Sequence, residues 1–209
     1  MGDKFGVCGL LLAGGQSRRM GGGDKCLQIL AGKTLLTRVI ECARPQVDEL
    51  ILNANGNPAR FEEYGLSVVD DVVSGFSGPL AGILTGLEWL RINHPDCRWL
   101  ASFACDAPFI PSDMVSRMKS ATEKQNGEVC CAVSGGRDQP VFGLWPVKLA
   151  GDLREALVKE KVRKVDLWTQ RYKLIRTEWQ LDPLDPFFNV NTQEDLVKAK
   201  KLIGSNLTT

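Results

Sequence analysis

Histidine is almost absent from this chain of 209 residues, with His94 the only one. That excludes histidine-rich ligand sets. His94 precedes Pro95 in a polar stretch and reads as a solvated side chain. Excess charge is lacking too: 26 Lys and Arg face 25 Asp and Glu, for a net charge of +1. A chain that grips nucleic acid through its phosphates carries more positive charge than this. The balance still leaves room for a local basic patch and a small anion. No C-x-x-C pair occurs, and the seven cysteines are odd in number. They read as reduced thiols of a cytoplasmic protein, not as a disulfide framework or a zinc site. No apolar run is long enough to span a bilayer. The run Val7 to Ala13 passes straight into glycines and arginines, without the cleavage segment of a secretory signal. Fixed-period repeats, low-complexity tracts and linkers are also missing.

What is present is the composition of a globular domain, 44% hydrophobic and 24% charged. Short apolar runs alternate with helical patterns. Strands are expected at Val7–Leu12, Glu49–Asn53, Leu66–Val69, Trp99–Phe103, Glu128–Val133, Val141–Trp145 and Leu174–Thr177. Helices are expected at Leu35–Ala43, Ala59–Tyr64, Leu80–Ile92 behind Pro79, from an N-cap at Ser112 to Lys124, and at Pro146–Glu160. A capping box at Thr192–Asp195 opens a last helix to Leu202. The alternation predicts a three-layer α/β/α, Rossmann-like fold with a mainly parallel central sheet. One domain is expected over 1–209, with about 6–110 on the nucleotide side and about 111–209 on the acceptor side. The five tryptophans read as packing residues.

In such sheets ligands bind beyond the carboxyl ends of the strands, which selects the loops to inspect. The first, Leu11 to Lys25, holds five glycines, two arginines and a lysine. Glycine lets backbone N–H groups close on a ligand, and Arg and Lys compensate phosphate charge. Its spacing is neither a P-loop nor a dinucleotide fingerprint; Gly32-Lys33-Thr34 ends like a P-loop, but Leu27 stands at the required first glycine. Asp106, at the end of an apolar strand, has the character of a Mg²⁺ ligand, since that ion takes one or two carboxylates plus phosphate oxygens. Asp70-Asp71 leads into Ser77-Gly78-Pro79, a strand end before a helix N-terminus. Asn53-Ala54-Asn55 offers amides suited to base and sugar edges. Asn189-Val190-Asn191-Thr192 precedes the last helix.

The stretch L-L-A-G-G-Q-S-R-R-M-G-G-G-D-K resembles the signature of sugar-phosphate and cofactor nucleotidyltransferases. N-A-N, D-D…G-P-L-A-G, C-D-A-P-F and N-V-N-T-x-E-D-L follow in order, and the set is similar to the molybdenum cofactor guanylyltransferases. The resemblance runs from about Gly6 to Leu202. It implies transfer of GMP from GTP to the terminal phosphate of molybdopterin, with Mg²⁺ as cofactor and pyrophosphate released. Carried over by motif, Leu12, Ala13, Gly14 and Gly15 line the GTP pocket, Lys25 contacts phosphate, and Asn53 and Asp71 hold guanosine. Asp106 binds GTP and the metal, and Arg19, Lys25 and Asp106 carry the chemistry. Asn189 and Asn191 fall on the pterin side, with Arg163 and Lys164 in place of the family's paired arginines. Lys164 lacks the bidentate fork of the second arginine. GTP and the molybdopterin cofactor are the expected partners, beside transient contact with proteins that supply or receive cofactor. Three alternatives stand: a CTP-using relative, a sugar-1-phosphate nucleotidyltransferase, and a non-catalytic nucleotide-binding protein that delivers cofactor.

Overall fold

The run Val7–Leu12 forms strand β1, with Cys8, Leu10 and Leu11 wholly buried. A strand apolar on both faces needs cover on both sides, and the chain supplies it. The computed structural model describes residues 6–13, 24–75, 78–182 and 184–206. After β1 come a hairpin of β2 (Ile29–Leu30) and β3 (Lys33–Thr34), helix α1 (Leu35–Ala43), β4 (Glu49–Asn53) and β5 (Ser67–Val69). Then follow α2 (Pro79–Asn93), β6 (Trp99–Ala104), α3 (Met114–Lys124), β7 (Val129–Ser134) and β8 (Arg137–Pro146). The chain continues through α4 (Ala150–Val158), α5 (Val165–Thr169), β9 (Leu174–Trp179) and α6 (Gln193–Asn206).

Seven strands pair in the order β5-β4-β1-β6-β8-β7-β9. β5, β4, β1 and β6 are parallel, as are β7 and β9, and β8 runs against both its neighbours. Helices α1 and α3 bury Leu36, Val39, Met114 and Met118 on one face of the sheet, with Leu11 and Phe103. On the other face α2, α4 and α5 bury Ile83, Leu87, Leu153 and Trp168, with Leu10 and Trp145. The expected three layers and mainly parallel sheet are therefore present. A smaller cluster joins Leu30 and Leu35 to Val190, Leu196 and Ala199, so α6 is packed onto the N-terminal hairpin. The indole of the wholly buried Trp145 donates to Ser102 Oγ at 2.8 Å, which satisfies its one polar atom.

Several local readings change. Residues Pro58–Tyr64 form a 3₁₀ helix, not an α-helix, between an Asn57 cap and Gly65 at φ 60°. The helix after β8 does not open at Pro146, which ends the strand opposite Trp99. The hydrogen bond there comes from Val147 N to Arg98 O at 3.0 Å, so proline's missing N–H is not needed. Helix α3 starts at Met114, and the residue before it, Asp113, accepts from Trp179 Nε1 at 3.1 Å instead of capping. His94 is not solvated: its ring lies 5.3 Å from that of Trp89 and its Nε2 is 2.5 Å from Glu49 Oε2.

Gly32-Lys33-Thr34 proves to be a turn, a strand and a cap. Ala31 and Gly32 take φ 47° and 82°, a two-residue hairpin turn. Thr34 Oγ1 then accepts from Thr37 N at 3.0 Å to start α1. Removing this cap with Thr34→Ala is expected to cost about 1 kcal/mol. Thermal unfolding should show it as a midpoint drop of about 2–4 °C for a chain of this size.

Candidate active site

The carboxyl ends of the parallel strands are stitched together by backbone bonds that continue the ladder. Ala13 N donates to Asn53 O at 3.0 Å, Ala54 N to Val69 O at 3.1 Å and Cys105 N to Leu12 O at 3.3 Å. The loops after β1, β4, β5 and β6 thus leave from one edge. Leu12 and Ala13 stand at its centre.

Lys25 opens a short 3₁₀ turn and is 9% exposed. A lysine this enclosed needs partners, because an unpaired buried ammonium is costly. Its Nζ forms an ion pair with Asp106 Oδ2 and donates to Asn191 Oδ1, both at very short range. An ammonium has three donors; among the described residues these contacts engage two of them. Asp106 stands two residues past the end of β6, and its carbonyl accepts from Val190 N at 2.8 Å. Asn191 is fixed by the capping box of α6: Asn191 N and Thr192 N each donate to Asp195 Oδ2 at 3.0 Å, and Asp195 N returns to Thr192 Oγ1 at 3.2 Å. Because α6 packs on the β2–β3 hairpin, that box is carried back to Lys25 from the far end of the chain.

A second network occupies the ends of β4 and β5. Asn53 is 5% exposed and donates through Nδ2 to Val69 O at 3.1 Å and Asp71 Oδ1 at 3.0 Å. Asn55 Nδ2 donates to Asp71 Oδ2 at 2.8 Å, and Asp71 N to Asn55 Oδ1 at 2.8 Å. Asp71 therefore holds two amides at once. Asn55 was part of the N-A-N motif but was not singled out as a site residue; the alternation of N-x-N on an extended chain puts both amides on one side.

Arg60 was missed altogether. Its Nε is 2.6 Å from Asp24 Oδ2, and its guanidinium donates to Asn55 O at 2.6 Å and Asn57 O at 2.5 Å while lying over the Phe61 ring. It ties the Asn55 loop to the residue before Lys25. Cys26 and Cys105 flank Lys25 and Asp106. Burial, helped by Asp24, pushes Cys26 up to about 12, and burial raises Cys105 as well. Both stay neutral thiols near pH 7 and are not nucleophiles.

Arg163 and Lys164 are exposed at the start of α5, where Arg163 Nη1 donates to Leu157 O at 3.2 Å. The Arg163 carbonyl lies 3.9 Å from where a Cβ on Gly78 would stand, so this basic segment adjoins the N-terminus of α2. Asn189 is half-buried in the loop before α6. Of the expected acceptor set, Asn191 alone is brought to Lys25 among the described contacts. Gly14, Gly15, Arg19 and Ser77 lie outside the described residues.

No group of three or more His, Cys, Asp or Glu side chains gathers as a metal cage among the described residues. The donor set fits a magnesium ion nonetheless: that ion keeps several waters and takes one or two carboxylates with substrate phosphates. Asp106 would supply the carboxylate. No helix among the described residues is long and apolar enough to cross a membrane.

Residues 9–172 match the MobA-like NTP transferase domain. A molybdenum cofactor guanylyltransferase of Bradyrhizobium sp. (strain ORS 278) is 54% identical, with 94% of this chain and 92% of that protein aligned. Another, of Rhodopseudomonas palustris (strain BisB5), is 49% identical over 97% and 96% of the two chains. Among solved structures, a molybdopterin-guanine dinucleotide biosynthesis protein A of Archaeoglobus fulgidus superposes with a TM-score of 0.73 at 21% identity, covering 95% and 99%. A 4-diphosphocytidyl-2C-methyl-D-erythritol synthase of Anaerococcus prevotii reaches 0.72 at 14% identity, covering 96% and 99%. At these identities the structural likeness concerns the fold alone.

Proposed function

The chain belongs to the MobA-like NTP transferase family, and from that membership we propose that it transfers GMP from GTP to the terminal phosphate of molybdopterin, releasing pyrophosphate. The observation that carries this reading is the meeting of Lys25, Asp106 and Asn191 beside the Asn53–Asp71–Asn55 network, at one edge of the parallel strands. One part offers charge for phosphates, the other polar edges for a nucleoside.

The chemistry follows from the acceptor. A terminal phosphate is already ionised near neutral pH, so no base is needed to remove a proton. One of its oxygens attacks the α-phosphorus of GTP in line; the bond from that phosphorus to the bridging oxygen breaks, and pyrophosphate leaves. Such transfer depends on positioning and charge neutralisation. Lys25 Nζ, held from two sides, directs its remaining proton at a phosphate oxygen. Asn191 keeps Lys25 extended, a task on the nucleotide side beside the one proposed toward the pterin. Asn53 and Asp71 hold guanosine, with Leu12, Ala13, Gly14 and Gly15 around the nucleotide, and Arg19 adds positive charge to the phosphates. Arg163 and Lys164, which adjoin the start of α2, and Asn189, in the loop before α6, receive the acceptor. Magnesium, which Asp106 would hold, supplies charge neutralisation on the phosphate oxygens when bound. The reading places the chain in a reducing cytoplasm, where its seven cysteines would be kept as thiols.

The test is pyrophosphate release with Mg²⁺ and molybdopterin-bearing cofactor, comparing GTP, CTP, ATP and UTP. GTP should exceed CTP in kcat/KM by about a hundredfold or more, as a hydrogen-bonding base pocket permits. Release with CTP alone moves the chain to a cytidylyl-transferring relative. Faster turnover of a sugar phosphate moves it to that class. GTP binding without release from any acceptor leaves the delivery role.

A further inference from the structure

The opposite end of the sheet holds a second chemical feature, which the proposed reaction does not use. Cys8 lies near the start of β1 and Cys97 just before β6, 89 residues apart in sequence. Their sulfurs are 3.3 Å apart, at hydrogen-bond distance. Cys8 is wholly buried and Cys97 is 3% exposed. Cys97 also borders an open cavity of about 940 Å³, lined by Arg91, Arg98, Lys148, Lys173 and Glu128 among others. Cys97 is thus the member of the pair next to open space, and four of the five charged side chains lining that space are cationic.

The pair differs from the remaining thiols in character. Burial raises Cys26, Cys42, Cys105, Cys130 and Cys131, which makes them poor nucleophiles. Cys97 moves the other way: its contact with Cys8 pulls it down, against burial and the charge of Asp48. In the resting geometry Cys97 Sγ donates to Cys8 Sγ and to Trp99 O, both at 3.3 Å, so Cys97 sheds that proton before it reacts. Cys97, the member of the pair that borders the cavity, is the one an oxidant meets first, and Cys8 lies directly behind it.

We propose that Cys97 is a hydroperoxide-reactive thiol with Cys8 as its resolving partner, closing a reversible Cys8–Cys97 disulfide at the end of the sheet remote from the nucleotide site. In the first step the Cys97 sulfur attacks one peroxide oxygen, the O–O bond breaks, hydroxide leaves, and a sulfenic acid forms. In the second the Cys8 sulfur attacks the Cys97 sulfur, the S–S bond forms, and the sulfenic hydroxyl leaves as water with the Cys8 proton. Two electrons pass from the thiol pair to the peroxide. The sulfurs need only close from 3.3 Å to about 2.05 Å. The bridge would join β1 to the segment leading into β6, the two strands whose far ends carry Ala13 and Asp106.

The reduced full-length chain is exposed to hydrogen peroxide near neutral pH, quenched by alkylation and mapped by peptide mass spectrometry. An intramolecular Cys8–Cys97 bridge, reversed by dithiothreitol, is expected. Cys97→Ser should abolish the bridge. Cys8→Ser should leave a sulfenic acid on Cys97 that dimedone traps; wild-type thermal unfolding of the variant shows that it is folded. If Cys8→Ser does not fold, the bridge in wild type and its loss in Cys97→Ser decide. Oxidation at Cys42 with Cys97 still free, or a peroxide adduct on Cys97 with Cys8 untouched in wild type, would overturn the proposal. None of these readouts depends on guanylyl transfer.

Discussion

Asp106→Ala is expected to lower kcat for pyrophosphate release by about a thousandfold, the upper range for losing one preorganised electrostatic contact to the transition state. The Asp106 side chain is 25% exposed and the Lys25 side chain 11%, so the pair is shielded but open on one side to a substrate. Truncation removes the charge that would hold the metal and the acceptor that aligns Lys25. Lys25 keeps Asn191, so the ammonium is not stranded and the fold should survive. Asp106→Asn separates the two effects, because it keeps an oxygen for Lys25 and drops the charge that a hard cation requires. The asparagine variant should also lose about a hundredfold or more. If it turned over near the wild-type rate, Asp106 would be a positioning residue for Lys25 and its metal role would fall. Circular dichroism and thermal unfolding of both variants, measured beside the kinetics, keep loss of fold from counting as loss of chemistry.

That Asp106 could be singled out at all follows from one geometric rule. Residues at the carboxyl ends of apolar runs were legible because parallel strands place them on one edge, and Leu12, Asn53, Asp71 and Asp106 all lie there. Lys25 was legible through its glycine-rich setting, though the ten residues before Asp24 lie outside the described ones. Arg60 was not legible, because its partners Asp24 and Asn55 are brought to it by the tertiary fold and not by any sequence spacing. The bond between Asn191 and Lys25 spans 166 residues and depends on α6 docking against the β2–β3 hairpin. That hairpin itself escaped notice, since strands of two residues show no alternation. Pro146 misled because proline at the start of a helix and proline at the end of a strand look alike when the partner that would need its N–H is unknown.

Gly82→Ala is expected to destabilise the chain and weaken GTP binding together, although alanine is the better helix former. Gly82 lies in the first turns of α2, where that helix presses on β1 and β4. A Cβ built there stands 2.3 Å from Leu12 Cδ2 and 2.4 Å from Asn53 Oδ1. Neither neighbour yields freely: Leu12 is the last residue of β1, and Asn53 is fixed by Val69 O and Asp71 Oδ1. The intrinsic gain from Gly to Ala in a helix is about 1 kcal/mol. Against it stand about 1–3 kcal/mol for overpacking and about 1–3 kcal/mol if the buried Asn53 amide loses its partners. The clash wins, and the sign reverses. Gly151→Ala is the contrast, since a Cβ at Gly151 in α4 meets nothing within 4 Å. That change should stabilise by about 0.4–1 kcal/mol. The two substitutions are chemically identical and both helical, so opposite shifts of the unfolding midpoint isolate the packing term. Only Gly82→Ala should raise the KM for GTP, by about tenfold if roughly 1.4 kcal/mol of nucleotide contact is lost with Asn53. Equal shifts in both variants, or an unchanged KM in a destabilised Gly82→Ala chain, would detach the Asn53 network from the nucleotide and leave it a purely structural clasp.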